Sequence, residues 1–293
     1  MIRGVSFSPL VSDGGAVSRA ESFYSRLRHG VNGSLVAGGT LLFIVVGVTA
    51  FGPWIIPYDP NAFGEALQAP NWKHPFGTDN FGRDIASRVV HAAHLNLFIG
   101  VVPTMITFIT GTLLGAIAGF YGGSIDTIIM RMVDVVLAFP FIVLVIGIVA
   151  MLGPGIQNLV VAIALVGWIS YARLVRGEIL VVKHQEYVLA AHALGCSSYR
   201  IILRHILPNV LGPAIVYAMS DVILNILLGA ALSFLGLGVQ PPTPEWGSMI
   251  QDARNFMRQA WWMATFPGIA IIITGIAFSL IGDGLTERLQ TRR

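Results

Sequence analysis

Charge is scarce in this sequence: only 11% of its 293 residues are Asp, Glu, Lys or Arg, against roughly a quarter in ordinary soluble domains. A mean hydropathy of +0.74 and 55% hydrophobic residues complete the picture of a chain that crosses a bilayer repeatedly. Cysteine occurs once, at Cys196, which excludes an intrachain disulfide and a cysteine-based zinc cluster. Lysine occurs only at Lys73 and Lys183, after Trp72 and Val182. A phosphate-cradling loop needs Lys after Gly and before Ser or Thr, so the chain cannot hydrolyse ATP by that chemistry. Neither a Gly-x-Ser-x-Gly elbow nor a His-Glu-x-x-His pair is present. His91 and His94 stand at helical spacing without a third ligand nearby, and no metal site is expected there. His192 and His205 read as solvated loop residues. The net charge of +3 is small and dispersed, which argues against nucleic acid. Arg3, Arg19, Arg26 and Arg28 lie in a Gly- and Ser-containing stretch with no short apolar core before a cleavage site, so the first apolar run is expected to stay as an anchor.

What the sequence does have is long uncharged runs. A bilayer core needs about 20 apolar helical residues. Runs of that length fall within 30–58, with its core at 35–56, at 95–121, over 135–172, from Pro208 to about Leu237, and from about Trp262 to Ile281. The stretch 135–172 is long enough for two spans, and Gly153-Pro154-Gly155 divides it as a tight turn. Six transmembrane helices are therefore expected in an all-α polytopic protein. With the amino terminus inside, thirteen of the eighteen basic residues fall on the inner side and only Lys73, Arg83, Arg88, Arg254 and Arg258 outside. That asymmetry places both termini in the cytoplasm. Arg131 and Asp134, three apart, are expected to form a local pair.

The longest polar segment in the second half, 185–209, then falls on the cytoplasmic side. Ala190 and Ala191 would leave a shallow helical patch for another backbone to approach, and Gly195 is placed to end that helix in a left-handed turn. A second short helix, Ser198 to Leu207, leads to Pro208. An alanine-rich helix with a glycine cap also occurs in proteins at large.

Two outer segments carry patterned sequence. In 76–94, Asp79/Arg83 and Asp84/Arg88 are four apart and Ile85/Val89 share a face, predicting an amphipathic helix on the outer surface. Pro241 to Gly247 reads as a stiff extended strip, followed by a short helix from Ser248 to Arg258 and by Trp261-Trp262 at interface depth. Both segments serve equally well as simple caps that set helix tilt. Within the fifth span, Asp221 and Asn225 lie on one helical face beside Ser220. An acid there either lines a translocation path, where it meets a cation such as a peptide ammonium, or hydrogen-bonds a neighbouring helix or partner subunit.

The motifs resemble a known family. Ala190-Ala191, Gly195 and Ile206-Leu207-Pro208 are similar to the cytoplasmic coupling loop of ABC importer permeases. Pro57 to Asn61, the Gly77-Thr78-Asp79-x-x-Gly82-Arg83-Asp84-x-x-Ser87-Arg88 strip, Ser233 to Gly238, Pro241 to Gly247 and Gly282-Asp283-Gly284-Leu285 resemble the dipeptide, oligopeptide and nickel branch, specifically the second of its two paired permeases. The chain departs from the family at Leu189, where a Glu usually precedes the two alanines; its nearest acid is Glu186.

The resemblance implies a type I ABC importer transmembrane fold, with a cytoplasmic tail over 1–33, a first helix over 34–56, a periplasmic segment over 57–94, the transmembrane domain over 95–284 containing the coupling loop 182–209, and a cytoplasmic tail over 285–293. It implies no catalytic residue and no cofactor in this chain, ATP and Mg being bound by partner subunits. Glu186, Ala190, Ala191, Gly195, Leu207 and Pro208 would contact one or two ATPase subunits; Asp221 and Asn225 would line the path; Asp79, Arg83, Glu245 and Trp246 would meet an extracytoplasmic substrate-binding protein. A homologous second permease and the lipid bilayer complete the partners. A nickel or metal-chelate importer permease is the alternative within the branch, and an ion-gradient-driven secondary transporter using Asp221 is the rival from another class. Against that rival, Asp221 is the one clearly mid-span carboxylate and no inverted repeat of broken helices is evident.

Overall fold

The computed structural model describes residues 33–290 except Pro57. The expected amino-terminal tail with its four arginines, and the last three residues, lie outside the described residues. Among the described residues the chain is helical, the one β-type pairing being an isolated bridge between Thr78 and Asp84.

Nine helices follow in order among those residues: α1 (Gly33–Ile55), α2 (Ile85–Tyr121), α3 (Gly123–Leu137), α4 (Phe141–Leu152), α5 (Ile156–Val182), α6 (Glu186–Ala193), α7 (Ser198–Phe234), α8 (Trp246–Ala253) and α9 (Trp262–Gln290). Five of them, α1, α2, α5, α7 and α9, are long and apolar enough to cross a membrane unbroken. Taken together as one broken span, α3 and α4 make a sixth. Helices α3 and α4 meet at an angle of 85°, with Pro140 at the junction, where it has no backbone N–H to continue a helix.

Helix α2 is the centre of the bundle, packed against α5 and α7, while α1 and α7 flank α9. Its contact with α5 is backbone to backbone. A Cβ added at Gly111 would stand 2.3 Å from the carbonyl oxygen of Trp168, and one at Gly115 would stand 2.5 Å from that of Ala172. Only hydrogen fits at these positions, so a stripe of small residues brings two membrane helices into close contact.

Four sequence expectations are corrected. The run 135–172 is not a hairpin of two straight spans, because α4 has only 12 residues, short of the about 20 that a straight crossing needs. Residues 85–94 are not a separate surface helix; they are the first turns of α2, with Ile85, Val89 and Ala92 buried. At 37 residues α2 is about 55 Å long, well beyond the roughly 30 Å of a hydrocarbon core, so its first turns stand outside it. Ser198 to Leu207 is not a separate helix either. It runs into α7 through a π-turn at Ile202–Ile206, and the wider turn relieves the clash that Pro208 would otherwise make with the carbonyl four residues back. Asp134, finally, does not pair locally with Arg131: it faces Arg173 of α5 at 3.3 Å.

Candidate functional site

Three places bear on function: a hairpin at one end of the bundle, a crevice in its middle and a polar cap at the other end. The hairpin is α6 and its return into α7. Its helix ends because Gly195 adopts φ +74, a conformation that costs a side-chain-bearing residue energy. The Gly195 N–H donates to the His192 carbonyl (2.9 Å) and the Cys196 N–H to the Ala191 carbonyl (3.1 Å), the paired bonds of a Schellman C-cap. Glu186 sits exposed in the first turn, where the helix dipole favours an acid.

Val188 and Ala191, three apart, point inward into a cluster with Val175 and Ile179 of α5, Ala116 of α2 and Ile201, Ile206 and Val210 of α7. Leu207 packs against the same cluster, and Pro208 is exposed. The two alanines thus do not form one patch: Ala191 is buried and Ala190 is exposed. The outward surface is instead Leu189, Ala190, Leu194 and Tyr199, with Leu194 84% and Tyr199 73% exposed. Polar bonds hold the hairpin and the helix ends beside it. Lys183 Nζ donates to the Gly119 carbonyl (3.0 Å), Asn209 Nδ2 donates to Tyr187 Oη (3.2 Å), and Arg176 holds Asp126 through two bonds of 2.5 and 2.6 Å. His192 is exposed, and its ring also stacks on Phe120 at 6.0 Å.

The crevice lies between α5, α7 and the α3–α4 bend, where Asp221 and Asn225 open onto one cavity. Their partners are different helices. Tyr171 Oη of α5 donates to Asp221 Oδ2 (2.9 Å), and Asn225 Nδ2 donates to Thr104 Oγ1 of α2 (2.9 Å). Tyr171 is fully buried and was missed from the sequence, although a tyrosine hydroxyl inside an apolar span is a signal of the same kind as the acid. Tyr217 packs edge-on against it at 4.9 Å.

At the cap, the two outer segments meet. Asp79 is not on a helix. Its Oδ1 accepts the N–H groups of Phe81 and Arg83, its Oδ2 accepts Arg83 Nε at 2.6 Å, and Arg88 Nε stands 3.8 Å away. Asp84 caps α2 by accepting from the Ser87 N–H (2.7 Å) and also faces His74. Arg83 reaches Asp252 of α8 at 3.4 Å. Burial pushes the Asp252 carboxyl above its ordinary range, against the pull of Arg83 and Arg88. Glu245 caps α8 through the N–H groups of Gly247 (2.9 Å) and Ser248 (2.8 Å); burial raises it too, and those two bonds oppose the rise.

Trp246 Nε1 donates to the Val89 carbonyl (3.0 Å) and Trp262 Nε1 to the Thr78 carbonyl (3.1 Å), sewing α8 and α9 onto the start of α2. The expected strip at Pro241 to Gly247 turns at Pro241-Pro242, whose peptide bond is cis. Asp79, Arg83, Glu245 and Trp246 are all at most 6% exposed. Their side chains are bonded within the chain and leave little surface of their own at this end of the bundle.

Among the described residues, no three His, Cys, Asp or Glu side chains converge as a metal site. Comparison with known proteins adds the following. Residues 111–293 match the family described as binding-protein-dependent transport system inner membrane component. The chain is 40% identical to the di/tripeptide transport system permease protein DppC of Pseudomonas aeruginosa, over 94% of this chain and 93% of that protein. It is 38% identical to the glutathione transport system permease protein GsiD of Pectobacterium atrosepticum, over 97% and 95% of the two. In three dimensions it is similar to a chain of the MetNI methionine ABC transporter solved in inward-facing conformations, with a TM-score of 0.55 at 17% identity, covering 70% of this chain and 96% of that one. That likeness concerns the fold.

Proposed function

Because the chain belongs to the family of inner membrane components of binding-protein-dependent transport systems, we propose that it is one of two paired permease subunits of an ATP-driven peptide importer in the bacterial cytoplasmic membrane. In this reading both termini face the cytoplasm, one or two ATPase subunits carry ATP and Mg, a homologous permease completes the pathway, and an extracytoplasmic protein delivers the peptide. The chain itself catalyses nothing. It converts motion at the hairpin into motion of the spans.

The observation that carries this is the hairpin's two faces. Leu189, Ala190, Leu194 and Tyr199 present apolar surface outward, while Val188 and Ala191 are locked into the ends of α2, α5 and α7. A close-packed core transmits displacement instead of absorbing it, so a push on α6 is delivered to the three helices that hold Thr104, Tyr171, Asp221 and Asn225. Glu186, Gly195, Leu207 and Pro208 shape and aim that contact. Peptide is favoured over nickel by the similarity to the di/tripeptide and glutathione permeases.

The test is reconstitution of the chain with its partner permease, ATPases and binding protein in vesicles. Peptide-dependent ATP hydrolysis with peptide accumulation is expected. Accumulation of nickel in place of peptide would move the chain to the metal side of its branch. Gradient-driven uptake by the purified chain alone would overturn the ATP-coupled reading altogether.

A further inference from the structure

Beside the α3–α4 bend lies a cavity of about 270 Å³, room for roughly nine waters at about 30 Å³ each. Two of its walls are aromatic, Phe139 and Phe141 at the bend, and the polar groups Ser170, Tyr217, Asp221 and Asn225 converge on it from α5 and α7. Asn225 is already engaged with Thr104. Asp221 accepts from Tyr171 at Oδ2 and is also hydrogen-bonded from Asn225 and Thr104, and among the described residues no Lys, Arg or His forms an ion pair with it; Arg173 is directed to Asp134 and Arg176 to Asp126. A carboxylate in an apolar span without a cation is costly, and side chains of this kind mark ion or substrate pathways.

A purely structural tie between α5 and α7 would not need the charge, since an amide oxygen at position 221 would accept the same Tyr171 hydroxyl. From this juxtaposition we infer that the cavity is a transit site for the amino terminus of the peptide, with the ammonium held between the Asp221 carboxylate and the hydroxyls of Ser170 and Tyr217. The rings of Phe139, Phe141 and Tyr217 add attraction for a cation through their π-faces. The inference rests on the peptide-import reading and gives it a chemical handle: the pathway recognises a free ammonium, independently of the binding protein's own selection.

The test uses the chain assembled with its partner permease and ATPases, without the binding protein. A cysteine is placed in the cavity wall, as Leu224→Cys or as Leu137→Cys, and its modification by a small neutral thiol reagent is followed by mass spectrometry, so that Cys196 need not be altered. A dipeptide with a free amino terminus should slow labelling at both positions by about tenfold, the size of effect expected for a partly desolvated ion pair with aromatic contacts. The N-acetylated dipeptide should leave the rate unchanged. Asp221→Asn should abolish the protection, and Asp221→Glu should restore part of it.

Equal protection by the free and the acetylated peptide overturns the site, as does protection that survives in Asp221→Asn. If Asp221→Asn does not assemble, the contrast between the two peptides on the complex retaining Asp221 decides by itself. Peptide-dependent ATP hydrolysis with binding protein present, but no protection, removes the site and leaves peptide import standing. Protection without any peptide-dependent hydrolysis or uptake removes the import reading and leaves the ammonium site.

Discussion

The cap and the hairpin break the usual rule of burial in opposite directions. At the cap, charged side chains are inside: Asp79, Arg83, Arg88 and Glu245 are each at most 6% exposed, and each has its bonds supplied by the same chain. At the hairpin, large apolar side chains are outside, Leu194 and Tyr199 almost wholly so. Burying charge is tolerable only with full compensation, which comes here from bonds within the loop 58–84, from that loop to the start of α2, within α8, and from the Arg83–Asp252 pair. An exposed apolar patch is unfavourable in water and marks contact with another protein or with a membrane. The cap is therefore a finished structure that holds the ends of α2, α8 and α9 in place, and the hairpin is an unfinished one.

That contrast breaks most readily at Asp79. Asp79→Ala would leave Arg83 and Arg88 buried beside each other with their shared acid gone, at a cost of about 3–5 kcal/mol. A large fall in thermal midpoint in detergent is expected; an unchanged midpoint would mean that the cap does not stabilise the fold.

Gly195→Val comes next. A β-branched residue at φ +74 costs about 1 kcal/mol or more. The open space around Gly195 means that the strain is in the backbone and not in a clash. The variant should insert and assemble while substrate-stimulated ATP hydrolysis falls several-fold, and normal hydrolysis would show that hairpin geometry does not govern coupling.

Leu194→Asp sharpens the comparison from the other side. Leu194 touches little of its own chain, so stability should change by no more than about 0.5 kcal/mol. Co-purification of the ATPase partner should nonetheless be lost. A destabilised but still partnered variant would reverse the assignment of the exposed face.

The smallest perturbation is chemical labelling of Cys196, half-buried at the second position of the C-cap. A thiol reagent should reach it from the cytoplasmic side only, quickly in the free subunit and slowly once the ATPase is bound. Equal rates in the two states would place the docking surface elsewhere.

How far the sequence led can be traced through particular residues. Hydropathy alone identified a polytopic helical protein, because a bilayer sets the length and composition of anything that crosses it. Gly195 was legible as a helix end because chirality makes the left-handed turn a property of one residue. Asp221 was legible as a functional candidate because an acid in an apolar span is conspicuous in any context.

Everything that depends on distant partners was not legible. Asp134 and Arg173 are 39 residues apart, Tyr171 and Asp221 are 50 apart, and Arg83 and Asp252 are 169 apart. The i,i+4 spacing of Asp79 and Arg83 was read as a helix, yet the same pair forms in a loop where Asp79 also accepts two backbone N–H groups. The bend before Phe141 followed the same pattern: its breaker, Pro140, is local, but whether the chain then turns back or crosses at 85° depends on what packs beside it. Composition and single-residue stereochemistry are settled within a few residues of chain, so the sequence by itself determined the class, the long apolar helices and the hairpin's end. Which faces meet is a competition among all packings of those helices, and only the tertiary structure decided that the outer charges are buried, that the two alanines part company, and that Asp221 stands in a cavity with no cation paired to it among the described residues.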